Sequence, residues 1–338
     1  MKKLRFAVIG TGFWAKYQIP AWLEIGGVEL VALYNRTLHK AEALAKQFKV
    51  PRVYGDIDAL FAQEDLDFVD IITDVDTHVY FTQKAAEKGV AVICQKPMAP
   101  SFNEAKAMLE FCESHHSPLF IHENFRWQVP LRELKQVLDS GEIGTVFKAR
   151  VSFCSAFPVF DNQPFLAGLE HFILTDIGSH VLDVCRFLFG EAKSLYALTK
   201  RVNPRIKGED VANVLMEMEN GVHCFVEMSY ASLLEKEAFP QTLVLVEGTL
   251  GSAHLSNDFV LKITTKEGTF TEKIYPEMYP WLDPEYAVVH SSIVDCNEDI
   301  LSGLQGGPCE TTGADNLKTV ALVWGAYESA KTGQVVRF

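Results

Sequence analysis

A two-domain α/β protein is what this sequence predicts, with a doubly wound parallel sheet of Rossmann type first and an α+β domain on an open, mostly antiparallel sheet second. The 338 residues are too many for one average domain. Up to residue 122, short apolar runs alternate with longer amphipathic segments, the pattern of parallel strands joined by helical crossovers. From about residue 124 the texture becomes one or two helices followed by alternating strands and turns. These observations set the domains at 1–123 and 124–338.

Each element has a local reason. Strands fall at 4–9, 28–34, 68–72, 91–94 and 118–122, where β-branched and aromatic residues cluster between turn signals. A helix near 38–48 carries Ala41, Leu44, Ala45 and Phe48 on one face, and another near 77–88 stops at Gly89. Ser101 followed by Glu104 matches a capping box ahead of Ala105, Met108 and Leu109. In the second half, VANVLMEM and VHCFVEMSY flank Asn220-Gly221, which predicts a hairpin with a type I′ turn. Ala212, Val214, Met216 and Met218 would then share its buried face. Further strands are predicted at 241–246 and 259–264, and a helix near 312–331 closes the chain.

Composition narrows the function. Against 44 Asp and Glu stand 31 Lys and Arg, a formal charge of -13, the wrong sign for nucleic acid or an anionic membrane surface. The seven cysteines are scattered with no CxxC pair, which suits reduced thiols in a cytoplasm and no metal site. No apolar run approaches the roughly 18 residues that span a bilayer. The opening MKKLRFAVIG reads as a first strand rather than a signal peptide, because Gly10, Gly12 and Lys16 interrupt its apolar stretch.

The segment Gly10-Thr11-Gly12-Phe13-Trp14-Ala15 follows a predicted strand and opens a predicted helix, the setting that a GxGxxG/A dinucleotide fingerprint requires. The first glycine allows the tight turn and the second admits the pyrophosphate. Small Ala15 lets helix pack on strand, with the phosphate at the helix N-terminus. Phe13 and Trp14 come with the loop as candidate cofactor contacts. Twenty residues after Ala15, where an NAD site places a carboxylate on the ribose, stands Asn35-Arg36-Thr37. A neutral amide, a cation and a hydroxyl favour the 2′-phosphate of NADP. NAD stays open, since Asn35 can bond a ribose hydroxyl while Arg36 stacks on adenine, and Arg36 also reads as a solvated charge.

Two segments carry candidate chemistry. Gln95-Lys96-Pro97 ends the fifth strand, on the side of the sheet where ligands bind. Lys96 reads either as a cation aimed at a reacting hydroxyl or as a surface lysine on a turn. Thr175-Asp176-Ile177-Gly178-Ser179-His180-Val181-Leu182-Asp183, if helical, puts Asp176 and His180 four apart on one face, with Asp183 nearby. A carboxylate fixing a histidine suits a general base. A satisfied core histidine and a metal site of Asp176, His180 and Asp183 are the competing readings. Gly178 inside a helix suggests a close approach there.

These segments together resemble the glucose-fructose oxidoreductase, inositol dehydrogenase and MocA family. Nearly the whole chain carries the resemblance, through IITDVDTH (71–78), AAEKGVAVICQKPMA, HENFRWQ (122–128), LDSGEIGTVFKARV (138–151), DIGSHVLD (176–183) and VEGTLGSAHL (246–255). It implies an NAD(P)-dependent enzyme in which His180 takes a hydroxyl proton as hydride leaves for the nicotinamide. Lys96 orients the oxygen and Asp176 supports His180. It also implies that Asn124 and Arg126 line the substrate pocket, that Gln95 reaches the nicotinamide ribose, and that Thr73, Asp74 and His78 lie at the nicotinamide end.

Departures from the family pattern bear on the substrate. Gln95 replaces the usual Glu, and Thr73-Asp74-Val75-Asp76 replaces a Thr-Pro-Asn loop, adding acids that either bind sugar hydroxyls or are solvated. Phe157, Phe160, Asp161, Asn162, Gln163 and His171 precede the catalytic segment and read as sugar contacts or as a packed loop. No Arg and Lys cluster marks a phosphate, so the expected substrate is an unphosphorylated sugar or polyol, oxidised from aldose to lactone or from polyol to ketose. The alternatives are a glycosidase working through transient oxidation with NAD, and a non-catalytic dinucleotide or sugar sensor. The second sheet is expected to leave one face open, which suits a homodimer or homotetramer.

Overall fold

The computed structural model describes residues 3–338. Two compact units divide the chain. One holds residues up to Asn124 with Tyr279–Pro284 and His290–Val320; the other holds Phe125–Met278, Glu285–Val289 and Ala321–Phe338.

In the first unit, strands β1 (Leu4–Ile9), β2 (Val28–Tyr34), β3 (Arg52–Tyr54), β4 (Phe68–Ile71), β5 (Ala91–Gln95) and β6 (Leu119–His122) alternate with helices α1 (Ala15–Ile25), α2 (Leu38–Phe48), α3 (Ile57–Gln63), α4 (His78–Ala86) and α5 (Phe102–Ser114). The strands pair in the order β3-β2-β1-β4-β5-β6, all parallel, so the order reverses between β1 and β4. Short β3 and α3 lie outside the predicted elements, since a three-residue strand has no periodicity to detect. Half of the predicted capping box forms: Ser101 accepts from the Glu104 N–H, while the Glu104 carboxylate bonds the Ser101 hydroxyl rather than its backbone N–H. Phe6, Phe68 and Trp22 pack with ring centroids 4.8 to 5.7 Å apart and no exposure. Burial of each contributes roughly 1.5–3 kcal/mol.

The late segment of this unit is held by backbone. The Ile121 N–H donates to the Thr311 carbonyl (2.9 Å), and Phe120 and Thr312 form a bridge. Nothing in the local sequence of 290–320 announces this return.

The second unit runs through α6 (Val129–Ser140), β7 (Val146–Cys154), α7 (Val159–Asn162), α8 (Ser179–Phe189), β8 (Ala192–Lys200), β9 (Val211–Met218), β10 (His223–Ser229), β11 (Leu243–Gly248), β12 (Gly251–Ser256), β13 (Val260–Thr265) and β14 (Gly268–Lys273). Two long helices follow in the chain, α9 (Ala287–Leu304) and α10 (Gly313–Thr332), each divided between the two units, and the chain ends on β15 (Val336–Arg337). The nine strands form one sheet, ordered β14-β13-β12-β11-β7-β10-β9-β8-β15; the β7–β10 pair is parallel and the other pairs antiparallel. Its inner face is apolar, with Ala212, Val214, Met216 and Met218 buried as expected, and α8 packs there against β7 and β10.

The β9–β10 hairpin corrects the expected turn. Of Asn220 and Gly221, Gly221 alone has positive φ (86°), so the turn is not type I′. The Gly221 N–H donates to the Met218 carbonyl and the Met218 N–H to the Val222 carbonyl, which makes a three-residue loop with glycine in the left-handed position. Asn220 instead anchors the loop, its Nδ2 donating to the Phe189 carbonyl.

Candidate active site

The loop after β1 sits where the strand order reverses. Gly10 has φ of 105°, and a Cβ there would lie 2.6 Å from the Ile72 carbonyl oxygen, so only glycine fits. Gly12 differs, because a Cβ there would meet nothing within 4 Å. That open space is what a pyrophosphate needs against bare backbone. Ala15 is fully buried at the start of α1, while Phe13 is exposed and stacks edge-on to Trp14. Asn35 is occupied by the loop itself: Oδ1 accepts from the Thr11 N–H (3.3 Å) and Nδ2 donates to the Thr37 carbonyl (2.9 Å). Arg36 is exposed beside it, and Thr37 precedes α2 without capping it by its side chain.

At the ends of β4 and β5 a buried histidine joins two loops. One ring nitrogen of His78 lies 3.0 Å from the Thr73 carbonyl oxygen and the other 3.0 Å from that of Pro97. Burial lowers the His78 pKa, although the carbonyls of Thr73, Pro97 and Met98 pull the other way. A neutral ring has one N–H and so donates to one carbonyl at a time. Thr73 accepts from the Thr77 hydroxyl (2.8 Å), and Asp74 is exposed. Lys96, half-buried, precedes Pro97 through a cis peptide bond.

Among the buried polar atoms of this unit without a partner within the protein, two lie at these loops: the Thr11 hydroxyl in the glycine loop and Nε2 of Gln95. Such atoms carry a desolvation cost unless a ligand or water bonds them. With the space at Gly12, they fit a dinucleotide lying along the C-terminal ends of β1, β4 and β5.

The second unit holds the other candidates. Residues Leu174–Gly178 make a π-helical turn that runs into α8, so Asp176 and His180 flank a turn wider than an α-helix. His180 is 5% exposed and its ring stacks on Phe125 at 3.8 Å and 8°. Asp176 is hydrogen-bonded by the Tyr230 phenol, whose pKa is raised well above the ordinary tyrosine range by burial and then by that carboxylate. Gly178 corrects an expectation: a Cβ there would make ordinary contacts at 3.4 Å or more, so no close approach within the unit requires glycine.

Arg126 and Asp183 are a pair. Arg126 Nε and Nη2 donate to Asp183 Oδ2 and Oδ1 at 2.7 and 2.6 Å, and Arg186 lies 3.6 Å from the same fully buried carboxylate. Arg126 thus gives two of its donors to a buried carboxylate on α8 that needs a counter-charge. This bonding also removes Asp183 from the competing metal reading. Asn124, in the first unit, donates to the Ser292 hydroxyl (2.8 Å), and Asp161 is exposed on α7.

Sequence reasoning missed three residues. Tyr230 continues the alternation of Cys224, Val226 and Met228 on the buried face of β10, a signal that was present. Glu209 and His290 had no local signal. The His290 ring stacks on Tyr17 at 3.8 Å, and its Nδ1 accepts from the Asp283 N–H. Burial pushes its pKa down to about 4, leaving a neutral ring with the proton on Nε2.

Comparison with known proteins agrees with this layout. Residues 4–123 match the oxidoreductase family with an NAD-binding Rossmann fold, and residues 131–254 match the GFO/IDH/MocA C-terminal domain. The chain is 44% identical over 337 residues to a D-apiose dehydrogenase of Rhizobium rhizogenes, covering 99% of this chain and 98% of that one. It is also 44% identical to a D-apiose dehydrogenase of Paraburkholderia graminis, covering 99% and 90%. The crystal structure of an oxidoreductase from Agrobacterium radiobacter in complex with NAD+, L-tartaric acid and magnesium superposes with a TM-score of 0.96 at 43% identity, covering 99% and 98%. With a dinucleotide loop on a 3-2-1-4-5-6 sheet and both halves matched, the chain belongs to the GFO/IDH/MocA family of NAD-binding oxidoreductases.

Proposed function

We propose that this enzyme is a dehydrogenase of an unphosphorylated sugar, with a pentose aldose such as D-apiose as first candidate and the lactone as product. The observation that carries the reading is the end-to-end 44% identity to D-apiose dehydrogenases in a chain that keeps Lys96, Asp176 and His180. Bound nicotinamide supplies the hydride acceptor. Gly10, Gly12 and Gln95 hold the dinucleotide, with Thr73 and His78 shaping the loop at its nicotinamide end. In the reaction His180 takes the hydroxyl proton, Lys96 orients and polarises the oxygen, and Asp176 holds His180 in its working tautomer.

An absorbance screen at 340 nm of unphosphorylated aldoses and polyols, each with NAD and NADP, tests this. Saturable turnover of one pentose is the expected result; silence with every sugar, while dinucleotide still binds, ends the reading. His180→Ala lowers kcat by roughly 100-fold or more with dinucleotide affinity unchanged. Unchanged turnover removes His180 from the mechanism.

Cofactor choice rests on Arg36. Since Asn35 is committed to its loop, the exposed guanidinium is the group positioned to favour a 2′-phosphate, and NADP is used as well as NAD. Arg36→Ala then cuts kcat/KM for NADP by about tenfold more than for NAD; equal loss for both assigns Arg36 to adenine stacking. NAD+ in the 43%-identical structure favours the second reading, NAD as main cofactor.

The protein works as a homo-oligomer in a reducing compartment. Exposed Leu198, Leu215 and Phe225 on the outer sheet face suit a second copy, and all seven cysteines are free thiols. Light scattering at micromolar concentration checks this; a monomer rules it out.

A further inference from the structure

The segment that carries Asp176 and His180 begins with no side-chain cap of its own, either at the π-helical turn or at α8. Thr175 cannot serve, because its hydroxyl bonds back to the carbonyls of His171 (2.8 Å) and Phe172 (3.0 Å). The first N–H groups of a helix have no partner within the helix and must find one elsewhere. Here they find a single residue. Glu209 Oε1 accepts from the N–H groups of Phe172 (3.2 Å) and Leu174 (3.2 Å), Oε2 lies 3.3 Å from the Phe172 nitrogen, and the Glu209 carbonyl accepts from the Ile173 N–H (3.2 Å).

We propose that Glu209 is a positioning residue for catalysis, capping the catalytic segment from outside it, with Tyr327 as the clamp that holds the cap. The Tyr327 hydroxyl donates to Glu209 Oε1 at 2.6 Å from the last long helix of the unit. Glu209 is 9% exposed, so its carboxylate is kept by these donors and by the positive end of the helix rather than by water. Asp176 follows Leu174 by two residues and His180 by one further turn, so the direction of the first turn sets where both side chains point. Three donors, the Phe172 and Leu174 N–H groups and the Tyr327 hydroxyl, occupy the carboxylate, which leaves Glu209 a supporting part and not a proton-transfer part.

This inference rests on the reading of His180 as general base, and its test separates the two. Glu209→Ala, Glu209→Gln, Tyr327→Phe and His180→Ala are compared in the full-length protein by steady-state kinetics and by amide hydrogen exchange. Glu209→Ala is expected to lower kcat on the order of 10- to 100-fold, as small misplacements of catalytic groups do, with KM for the sugar little changed. Exchange should speed up at residues 172–178 and nowhere else in the unit. Glu209→Gln, whose amide oxygen still accepts, should recover part of both losses, and Tyr327→Phe should show a smaller version of them. Unchanged kcat with unchanged exchange at 172–178 overturns the proposal, as does a loss of activity that only tracks unfolding of the whole unit. Should His180→Ala turn over like the parent, the general-base reading fails, while exchange still decides whether Glu209 is the cap.

Discussion

At the end of β1 the chain turns into α1 over a few residues, and the shape of that turn is set mainly by residues inside it: Gly10 in a backbone region closed to other residues, Gly12 facing open space, Ala15 buried, with Asn35 accepting from the Thr11 N–H from outside. The entry to α8 has no such local logic. Phe172, Ile173 and Leu174 depend on Glu209, Asp176 is held by Tyr230, and Asp183 is held by Arg126 and Arg186. The dinucleotide loop is thus mainly a local device, and the helix that carries His180 is a long-range assembly. Damage to the first should be confined to ligand binding or to one turn; damage to the second should spread through stability and turnover together.

The sharpest way to break the contrast is Arg126→Met. It leaves the Asp183 carboxylate buried without its bidentate partner, and removing one member of such a pair costs about 3–5 kcal/mol. Denaturant unfolding should show this, with activity falling beside it. A cost under 1 kcal/mol would mean that Arg186 alone satisfies Asp183.

Next in size is a buried group of the first unit. Asp70 accepts from Trp22 Nε1 at 2.9 Å, and burial pushes its carboxyl up to about 7. A raised folded-state value in an acid means that the native state binds the proton more tightly, so stability declines as pH rises from about 4 to about 7. Asp70→Asn should therefore be more stable than the parent at pH 8, by up to about 4 kcal/mol, with the gap closing near pH 4. Melting curves across that range check it; parallel curves refute it.

The smallest and most diagnostic pair is Gly10→Ala against Gly12→Ala. The first meets the Ile72 carbonyl at 2.6 Å and a left-handed backbone, so it loses about 1–3 kcal/mol of stability. The second has open space and keeps its stability, while dinucleotide affinity falls about tenfold. Equal stability loss in both would show that Gly12 also serves the fold.

Much of the first unit was legible because its information is local. Strand ends at 4–9 and 28–34, the capping box at Ser101 and the glycine fingerprint each depend on residues close together in sequence. Lys96 and His180 became readable as a pair through family resemblance rather than through periodicity. The Asn-Gly hairpin was found in its place with the wrong turn, because one dipeptide suits two loop lengths and the strand register chooses between them.

By itself the sequence determined where the longer strands and helices of the first unit begin, that a dinucleotide-binding loop is present, and which residue types are available for proton transfer, since backbone sterics and side-chain chemistry act over a few residues. The tertiary structure alone decided that Arg126 pairs with Asp183, that Asn35 bonds Thr11 and Thr37, and that Glu209 and Tyr327 hold the start of the segment that carries Asp176 and His180. The reason is the same in each case: a buried donor or acceptor must be satisfied, and its partner is whichever group the folded chain brings within reach, however distant in sequence.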